Sequence, residues 1–238
     1  MRVFIAPHNE PQQFAEESGF YLALLAAEVK YVVRISTLVE WLKPTSPIYY
    51  GRAHWAVENL LSQPEFRSLQ YTSLRPNFYA STFLSFATGW IKEYQKTGKQ
   101  TNLVMSLAED VSVAVVDPED VGTVGAHLLA LEDTSAHNGK RYTISGPVDV
   151  TGRDLVELVG KIAGVKVENA DFKFTSFLDQ MIEAGMLPAK LRTSLLSGFD
   201  TMWDGTSSLK GLPTSPEVLA LVPKQRTPEI VIRASLEQ

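Results

Sequence analysis

The stretch KYVVRIST, residues 30–37, decides the fold class because it is almost continuously apolar around a single arginine. Such a strand suits a parallel sheet that is covered on both faces better than a sheet with one solvated face. It follows the amphipathic run FAEESGFYLALLAAE at 14–28, which itself follows the short apolar run VFIA at 3–6. The order of strand, helix and strand predicts a βαβ unit.

The same alternation continues along the chain. A helix is predicted from about Tyr49 to Ser62 and a strand at 69–76, so two βαβ units follow one another. Right-handed crossovers then give an α/β fold with a doubly wound, mostly parallel sheet. Further predictions are a long helix at 78–95, strands at 102–105 and 111–116, a helix at 117–132, a strand at 141–145, a capped helix at 151–164, a strand at 165–174, two helices broken at 185–188, a loop at 211–216 and a terminal helix from Thr227.

Composition limits the class of protein. A chain of 238 residues with 45% hydrophobic content is expected to form a single domain, here with a strand-helix core at about 1–145 and a small C-terminal, substrate-side lobe at 146–238. The net charge of -5 and the scattered basic residues argue against direct binding of nucleic acid. The absence of cysteine fits a reducing, cytoplasmic location.

Two further classes are disfavoured by residue spacing. The four histidines lie far apart in the sequence, so no metal site is predicted. The apolar run after Phe20 is interrupted by Glu28 and Lys30 before it could cross a membrane, so no membrane partner is expected.

Candidate binding residues follow the first three predicted strands, because open α/β sheets bind ligands at the carboxyl ends of their strands. We expect the three loops to converge on one crevice. The alternative is that Ser36 and Asn77 only satisfy loop backbone groups, as such residues commonly do. The candidates are Pro7, His8, Ser36, Thr37, Pro76, Asn77, Phe78 and Tyr79.

Tyr50 and His54 form a candidate catalytic pair because residues four apart share one face of a helix. A tyrosine donates a proton more readily when a neighbouring cation lowers its pKa. Histidine is a weaker cation than lysine, and Glu58, four residues further on, would have to support its charge. The alternative is an ordinary packed helix in which His54 bonds to Glu58 at the surface.

An ordered set of segments resembles the NmrA-like branch of the atypical short-chain dehydrogenase/reductases: VFIAPHN, KYVVRIST, YYGRAHWAVENLL, YTSLRPNFYAS, VDPEDVGTVGAHLLALED and NGKRYTISGPVDVTGRDLVELV. The likeness runs from about 3 to 164. It implies a Rossmann fold, an NAD(P) cofactor, and either hydride transfer to a small molecule or redox sensing without turnover.

The resemblance also assigns roles. It places Tyr50 and His54 at the family's Tyr-x-x-x-Lys site, with histidine in place of lysine, and Ser36 beside them as a third catalytic candidate. The cofactor would be flanked by Pro7, Ser36, Thr37, His54, Pro76, Asn77, Phe78 and Tyr79.

One family feature has no counterpart in this sequence. The glycine-rich turn that holds the cofactor's pyrophosphate is missing, and VFIA corresponds to the family's fourth strand. We therefore expect a Rossmann-like fold truncated at its N-terminus, with NAD(P) affinity weakened or lost. Residues 3–6 would then form an exposed apolar edge that invites self-association or a protein partner.

The sequence leaves three interpretations open. The first is an NAD(P)-dependent oxidoreductase that acts on an unknown small molecule. The second is a non-catalytic NmrA-like regulator, or truncated paralogue, that acts through protein binding. The third is a gene-model fragment whose upstream exon was missed.

Overall fold

The computed structural model describes residues 1–237, and the chain packs as two compact units. The first unit contains Met1–Pro76, Glu119–Ile144 and Thr214–Pro223. The second contains Asn77–Pro118, Ser145–Pro213 and the chain from Lys224 onward. Each unit is therefore assembled from segments that are distant in sequence.

The elements alternate between strands and helices. The strands are β1 (Arg2–Ile5), β2 (Tyr31–Ile35), β3 (Gln70–Pro76), β4 (Leu103–Val104), β5 (Lys140–Ile144) and β6 (Ala170–Asp171). The helices are α1 (Gln13–Ala26), α2 (Tyr49–Leu61), α3 (Ala80–Phe83), α4 (Ser85–Thr97), α5 (Pro118–Ala130), α6 (Gly152–Ala163), α7 (Phe177–Glu183), α8 (Arg192–Trp203), α9 (Pro216–Leu221) and α10 (Pro228–Leu236). Within residues 1–237, no helix is both long enough and apolar enough to cross a membrane.

The first unit is built on a parallel sheet with the strand order β1-β2-β3-β5. Val3 and Ile5 join an apolar cluster with residues of α1 and α2 on one face of this sheet. Phe4 points to the opposite face, where α5 passes so closely that a Cβ on Gly125 would come within 2.5 Å of the phenyl ring. Helices thus cover both faces, which confirms the predicted doubly wound α/β fold.

The two edges of this sheet differ. At one edge, Lys30 donates its backbone N–H to Met1 O at 3.0 Å. Successive residues of a strand direct their backbone groups to opposite sides, so those of Arg2 and Phe4 point away from β2. At the other edge, Thr143 of β5 exchanges hydrogen bonds with Ser215, N to Oγ and O to N, both at 3.0 Å. The β1 edge is therefore the open one among the described residues.

The second unit is mainly helical, with one short parallel pairing between β4 and β6. Its α6 begins with a capping box in which the Thr151 side chain and Asp154 bond each other's backbone N–H groups. The helix ends at Gly164, whose φ of 74° is a left-handed conformation that favours glycine. The predicted cap and stop of this helix are both confirmed, as is the terminal helix capped by Thr227.

Several local predictions were wrong for reasons of tertiary structure. The expected helix at 78–95 is interrupted at Leu84, and the expected strand at 165–174 shrinks to β6. Residues 111–116 form no strand because their backbone groups bond to separate segments: Val113 to Val150, Ala114 to Ser207 and Val116 to Phe78. The predicted loop at 211–216 ends where α9 begins, with Pro216 in the first helical turn. The division at about residue 145 stays a prediction.

Candidate functional site

A buried ionic network lies toward the carboxyl end of β2, on the face covered by α1 and α2. Arg34 is fully buried and shares its sheet face with the apolar residue Val32. Its Nε and Nη2 donate to the two carboxylate oxygens of Glu17 at 2.9 and 3.2 Å. The hydroxyl of Tyr21 donates to the same carboxylate at 3.1 Å. The arginine is thus paired within the interior instead of reaching solvent.

His54 belongs to this network and is held in its neutral form. Arg34 Nη2 lies 2.9 Å from His54 Nδ1, which must therefore accept, and the proton then resides on Nε2, 3.0 Å from Asn9 Oδ1. Burial and the charge of Arg34 hold the pKa of His54 well below its usual value. The histidine consequently provides no positive charge at neutral pH.

This geometry corrects the expectation that His54 bonds to Glu58 at the surface. His54 is only 1% exposed and faces Arg34, because Glu58 is already saturated by other donors. Ser36 Oγ donates to Glu58 Oε1 at 2.7 Å, Arg75 binds both carboxylate oxygens, and Arg141 Nε lies 3.0 Å from Oε2.

Glu58 stays ionised in this setting. Burial opposes its ionisation, but the hydrogen bonds and charge of Arg75, the hydroxyl of Ser36 and the charge of Arg34 hold the pKa of Glu58 below its usual value. The Glu58 carboxylate on α2 therefore links three parts of the sheet: Ser36 just beyond β2, Arg75 on β3 and Arg141 on β5. It fixes the carboxyl ends of neighbouring strands, where ligand-binding loops of α/β proteins begin.

Tyr50 presents an unengaged hydroxyl. Its half-buried ring packs edge-to-face against Trp41 and Tyr49, with centroids 5.6 and 5.3 Å away, and lies 6.4 Å from the ring of His54. The hydroxyl makes no hydrogen bond with any residue of the described chain, 1–237. Burial and the neighbouring Tyr49 raise the pKa of the Tyr50 phenol. Tyr50 is therefore a neutral donor and a weaker acid than an exposed tyrosine.

The other candidates in the first unit are largely engaged in the fold. Ser36 is buried, donates its hydroxyl proton to Glu58, and donates its backbone N–H to Leu74 O at 2.6 Å. With its proton committed, the Ser36 hydroxyl retains only the capacity to accept. Thr37 is buried beside it, and Pro7 is half-buried in the loop after β1. Pro76 is the last residue of β3 and pairs with Ile144.

Asn77, Phe78 and Tyr79 belong to the second unit. The Asn77 amide donates to Ser145 Oγ at 3.1 Å and to Ser207 O at 2.9 Å, and its oxygen accepts the Phe78 N–H at 2.8 Å. This arrangement matches the alternative in which Asn77 satisfies loop groups. Burial raises the pKa of Tyr79 to about 12.

The structure thus groups some of the predicted residues. Ser36 bonds to Glu58, His54 bonds to Arg34, and Arg34 and Glu58 lie 3.9 Å apart. Tyr50 lies one helical turn before His54. The convergence of all three loops on one crevice stays a prediction.

Sequence reasoning missed the partners that hold this network together, chiefly Glu17, Arg34, Arg75 and Arg141. A signal was present, because an arginine inside a strand buried on both faces requires a buried acid. Glu17 lies on the same helical stripe as the inward-facing Tyr21 and Leu24, so its position pointed inward.

The loop after β1 does not suit the pyrophosphate of a dinucleotide. The loop from 6 to 12, which leads into α1, contains no glycine and carries Glu10, and the first turn of α1 carries Glu16. Acidic groups at this helix start would repel a pyrophosphate, which requires close backbone N–H groups and a positive field. These residues therefore do not form a pyrophosphate cradle.

Comparison with known proteins identifies the family. The NmrA-like family profile matches residues 35–208, which is most of the chain. The chain belongs to the NmrA-like family. This NmrA-like chain is 28% identical over 157 residues to a (4-alkanoyl-5-oxo-2,5-dihydrofuran-3-yl)methyl phosphate reductase of Streptomyces griseus. The match covers 66% of this chain and 50% of the reductase, so the chain matches about half the length of that relative.

Solved structures support the Rossmann-like fold of this NmrA-like chain. The Citrobacter sp. triphenylmethane reductase complexed with NADP(H) matches with a TM-score of 0.73 and 17% identity, covering 99% of this chain and 76% of that one. NmrA, a negative transcriptional regulator in complex with NAD, matches with a TM-score of 0.67 and 15% identity, covering 98% and 72%. At these identities the likeness establishes the fold alone.

Proposed function

We propose that this NmrA-like protein is an NAD(P)-dependent oxidoreductase that transfers hydride to an unknown small molecule, with weakened cofactor affinity. The family match over 35–208 carries this proposal. The reductase relatives and the NADP(H) complex of the triphenylmethane reductase support it. Residues 146–238 are proposed to form the substrate-side lobe of a single NmrA-like domain, and a cytoplasmic location is proposed with it.

The proposed roles follow from the chemistry of each side chain. When bound, the nicotinamide supplies the hydride. Tyr50 donates a hydrogen bond or proton to the reacting oxygen through its unengaged hydroxyl. His54 fixes the start of α2 and binds the loop after β1 through Asn9, 3.0 Å away, without supplying charge. Ser36 is the third catalytic candidate.

The proposed cofactor contacts surround the nicotinamide end only. They are Pro7, Ser36, Thr37, His54, Pro76, Asn77, Phe78 and Tyr79. Because the loop that leads into α1 lacks a pyrophosphate cradle, these contacts alone bind the dinucleotide with low affinity.

The Tyr50→Phe variant tests the proposed catalytic role. It should retain the fold and lower the rate of NADPH oxidation by roughly a hundredfold, the lower range for loss of a general acid, because burial makes this phenol a weak acid. The measurement is the decrease of NADPH absorbance with a panel of quinone and aldehyde acceptors at millimolar NADPH.

Tyr94→Phe is the matched control because it removes a hydroxyl from another half-buried tyrosine, on α4, that has no proposed role in the site. Its rate should stay close to that of the parent protein. Equal rates for Tyr50→Phe and the parent protein would show that the Tyr50 hydroxyl has no catalytic role and that the ring only packs. No oxidation by the parent protein with any acceptor would count against turnover and favour the second function below.

A non-catalytic function is the second candidate, favoured by the open β1 edge and the apolar surface of the first unit. Phe4 on this edge is 39% exposed, and α1 adds exposed apolar side chains. Those side chains are Phe14, Phe20 and Leu22. An open apolar edge is a template for pairing with another chain. In this version the protein acts through self-association or through a protein partner.

Self-association is expected to be visible at micromolar concentration by light scattering coupled to size exclusion. Phe4→Lys should shift the protein toward monomer, because a lysine on an edge strand opposes strand addition. Leu219→Lys is the control, since Leu219 is similarly exposed, at 46%, on α9. A parent protein that remains monomeric with a sharp, cooperative melt would contradict the proposal.

A further inference from the structure

We infer that the two partly exposed arginines on Glu58, Arg75 and Arg141, form a binding site for a phosphate group. The first observation is a charge imbalance. Three guanidinium groups, those of Arg34, Arg75 and Arg141, share two carboxylates, those of Glu17 and Glu58, which leaves one net positive charge because His54 is neutral. Arg34 is matched by Glu17, so the excess lies on the pair that shares Glu58.

The second observation is the close approach of these two arginines. Arg75 Nη2 and Arg141 Nε both bind Oε2 of Glu58. Two donors that meet on one oxygen lie no more than about 6 Å apart, the sum of two hydrogen-bond lengths. Like charges at this separation repel, and a single carboxylate compensates only one of them. A second anion would neutralise the pair.

The third observation is that donors remain available. The Nη1 atoms of Arg75 and Arg141 bond to no residue within 1–237, while Nη2 of Arg141 is fixed by Ser62 Oγ at 2.9 Å. The side chains are 16% and 38% exposed, so an anion reaches them without unfolding the unit. Glu58 and Ser62 hold both guanidinium groups in place, which lowers the entropy lost on binding.

A phosphate group is the ligand that suits this arrangement. Guanidinium groups bind phosphate oxygens through paired, charge-assisted hydrogen bonds. A tetrahedral dianion offers oxygens to two guanidinium groups at once, whereas a carboxylate has one charge and two oxygens. The site therefore takes inorganic phosphate or the phosphate of a small monoester. The two arginines are not among the proposed catalytic or cofactor-contacting residues, although Glu58, which holds them, also accepts a hydrogen bond from Ser36.

Thermal unfolding tests the site. Inorganic phosphate, titrated from 0.1 to about 50 mM against sodium chloride at matched ionic strength, should raise Tm by about 2–4 °C with a saturable dependence, because a ligand that binds the folded state stabilises it. Arg141→Gln should abolish the rise, and Arg141→Lys should retain part of it.

Arg67→Gln is the matched control, since Arg67 is an exposed arginine of the same unit and its loss changes the net charge equally. It should keep the full rise. The Tm increments, and not the starting Tm values, are compared, so a baseline loss in Arg141→Gln does not obscure the result. An equal rise in all variants, or none in the parent protein, would overturn the inference. Glycerol 3-phosphate against glycerol then separates a monoester site from one limited to the free ion.

Discussion

Replacing Glu17 by glutamine is expected to lower the free energy of unfolding by about 3–5 kcal/mol, the usual cost of removing one partner from a buried ion pair. The Arg34 side chain is 0% exposed, and Glu17 accepts two of its hydrogen bonds. The variant leaves a buried guanidinium without its main counter-charge, and also removes the charged acceptor of Tyr21. Chemical denaturation with urea, followed by circular dichroism, measures the change.

Glu16→Gln is the control because Glu16 is the adjacent residue of α1, but its side chain is 60% exposed and pairs with the exposed His8. Its effect should stay within about 0.5 kcal/mol, as for most surface substitutions. The double variant Arg34→Met with Glu17→Leu should be more stable than Glu17→Gln alone, because it removes both charges. A loss below about 1 kcal/mol in Glu17→Gln would show that solvent reaches Arg34, contrary to the buried network.

Much of the fold was predictable because local pattern and tertiary structure agree. The continuous apolar run around Arg34 predicted a parallel strand buried on both faces, and β2 lies between β1 and β3. Cap residues such as Thr151 act within one helical turn, so their effect is visible in sequence. Residues 111–116 show the limit, since their β-branched pattern is satisfied by bonds to three separate segments.

The candidate site was less predictable because the order of the strands in the sheet determines which side chains contact each other. Glu58 binds Arg75 and Arg141, which meet only because β3 and β5 are neighbours in the sheet. Helical spacing suggested His54 as the partner of Glu58, four residues away. The spacing could not show that Arg34, from a different element, occupies the position next to the imidazole.

The second large effect is expected in cofactor affinity. Each charge-assisted hydrogen bond from a backbone N–H to a phosphate contributes about 1.5–3 kcal/mol, and residues 1–237 contain no glycine-rich turn that would supply such bonds. The loss should therefore be about 4 kcal/mol, so an affinity near 1 µM in a protein with the turn becomes about 1 mM here. The acidic residues Glu10 and Glu16 at the start of α1 act in the same direction.

Isothermal titration of the purified chain with NADPH most directly tests the proposal that this NmrA-like protein keeps a nicotinamide site while it binds the pyrophosphate only weakly. The account predicts a saturable heat with Kd of about 1 mM, weakened further in Asn77→Ala and unchanged in the exposed control Asn59→Ala. A Kd of a few micromolar would contradict the weak hold. No heat up to about 10 mM NADPH would contradict the nicotinamide site itself.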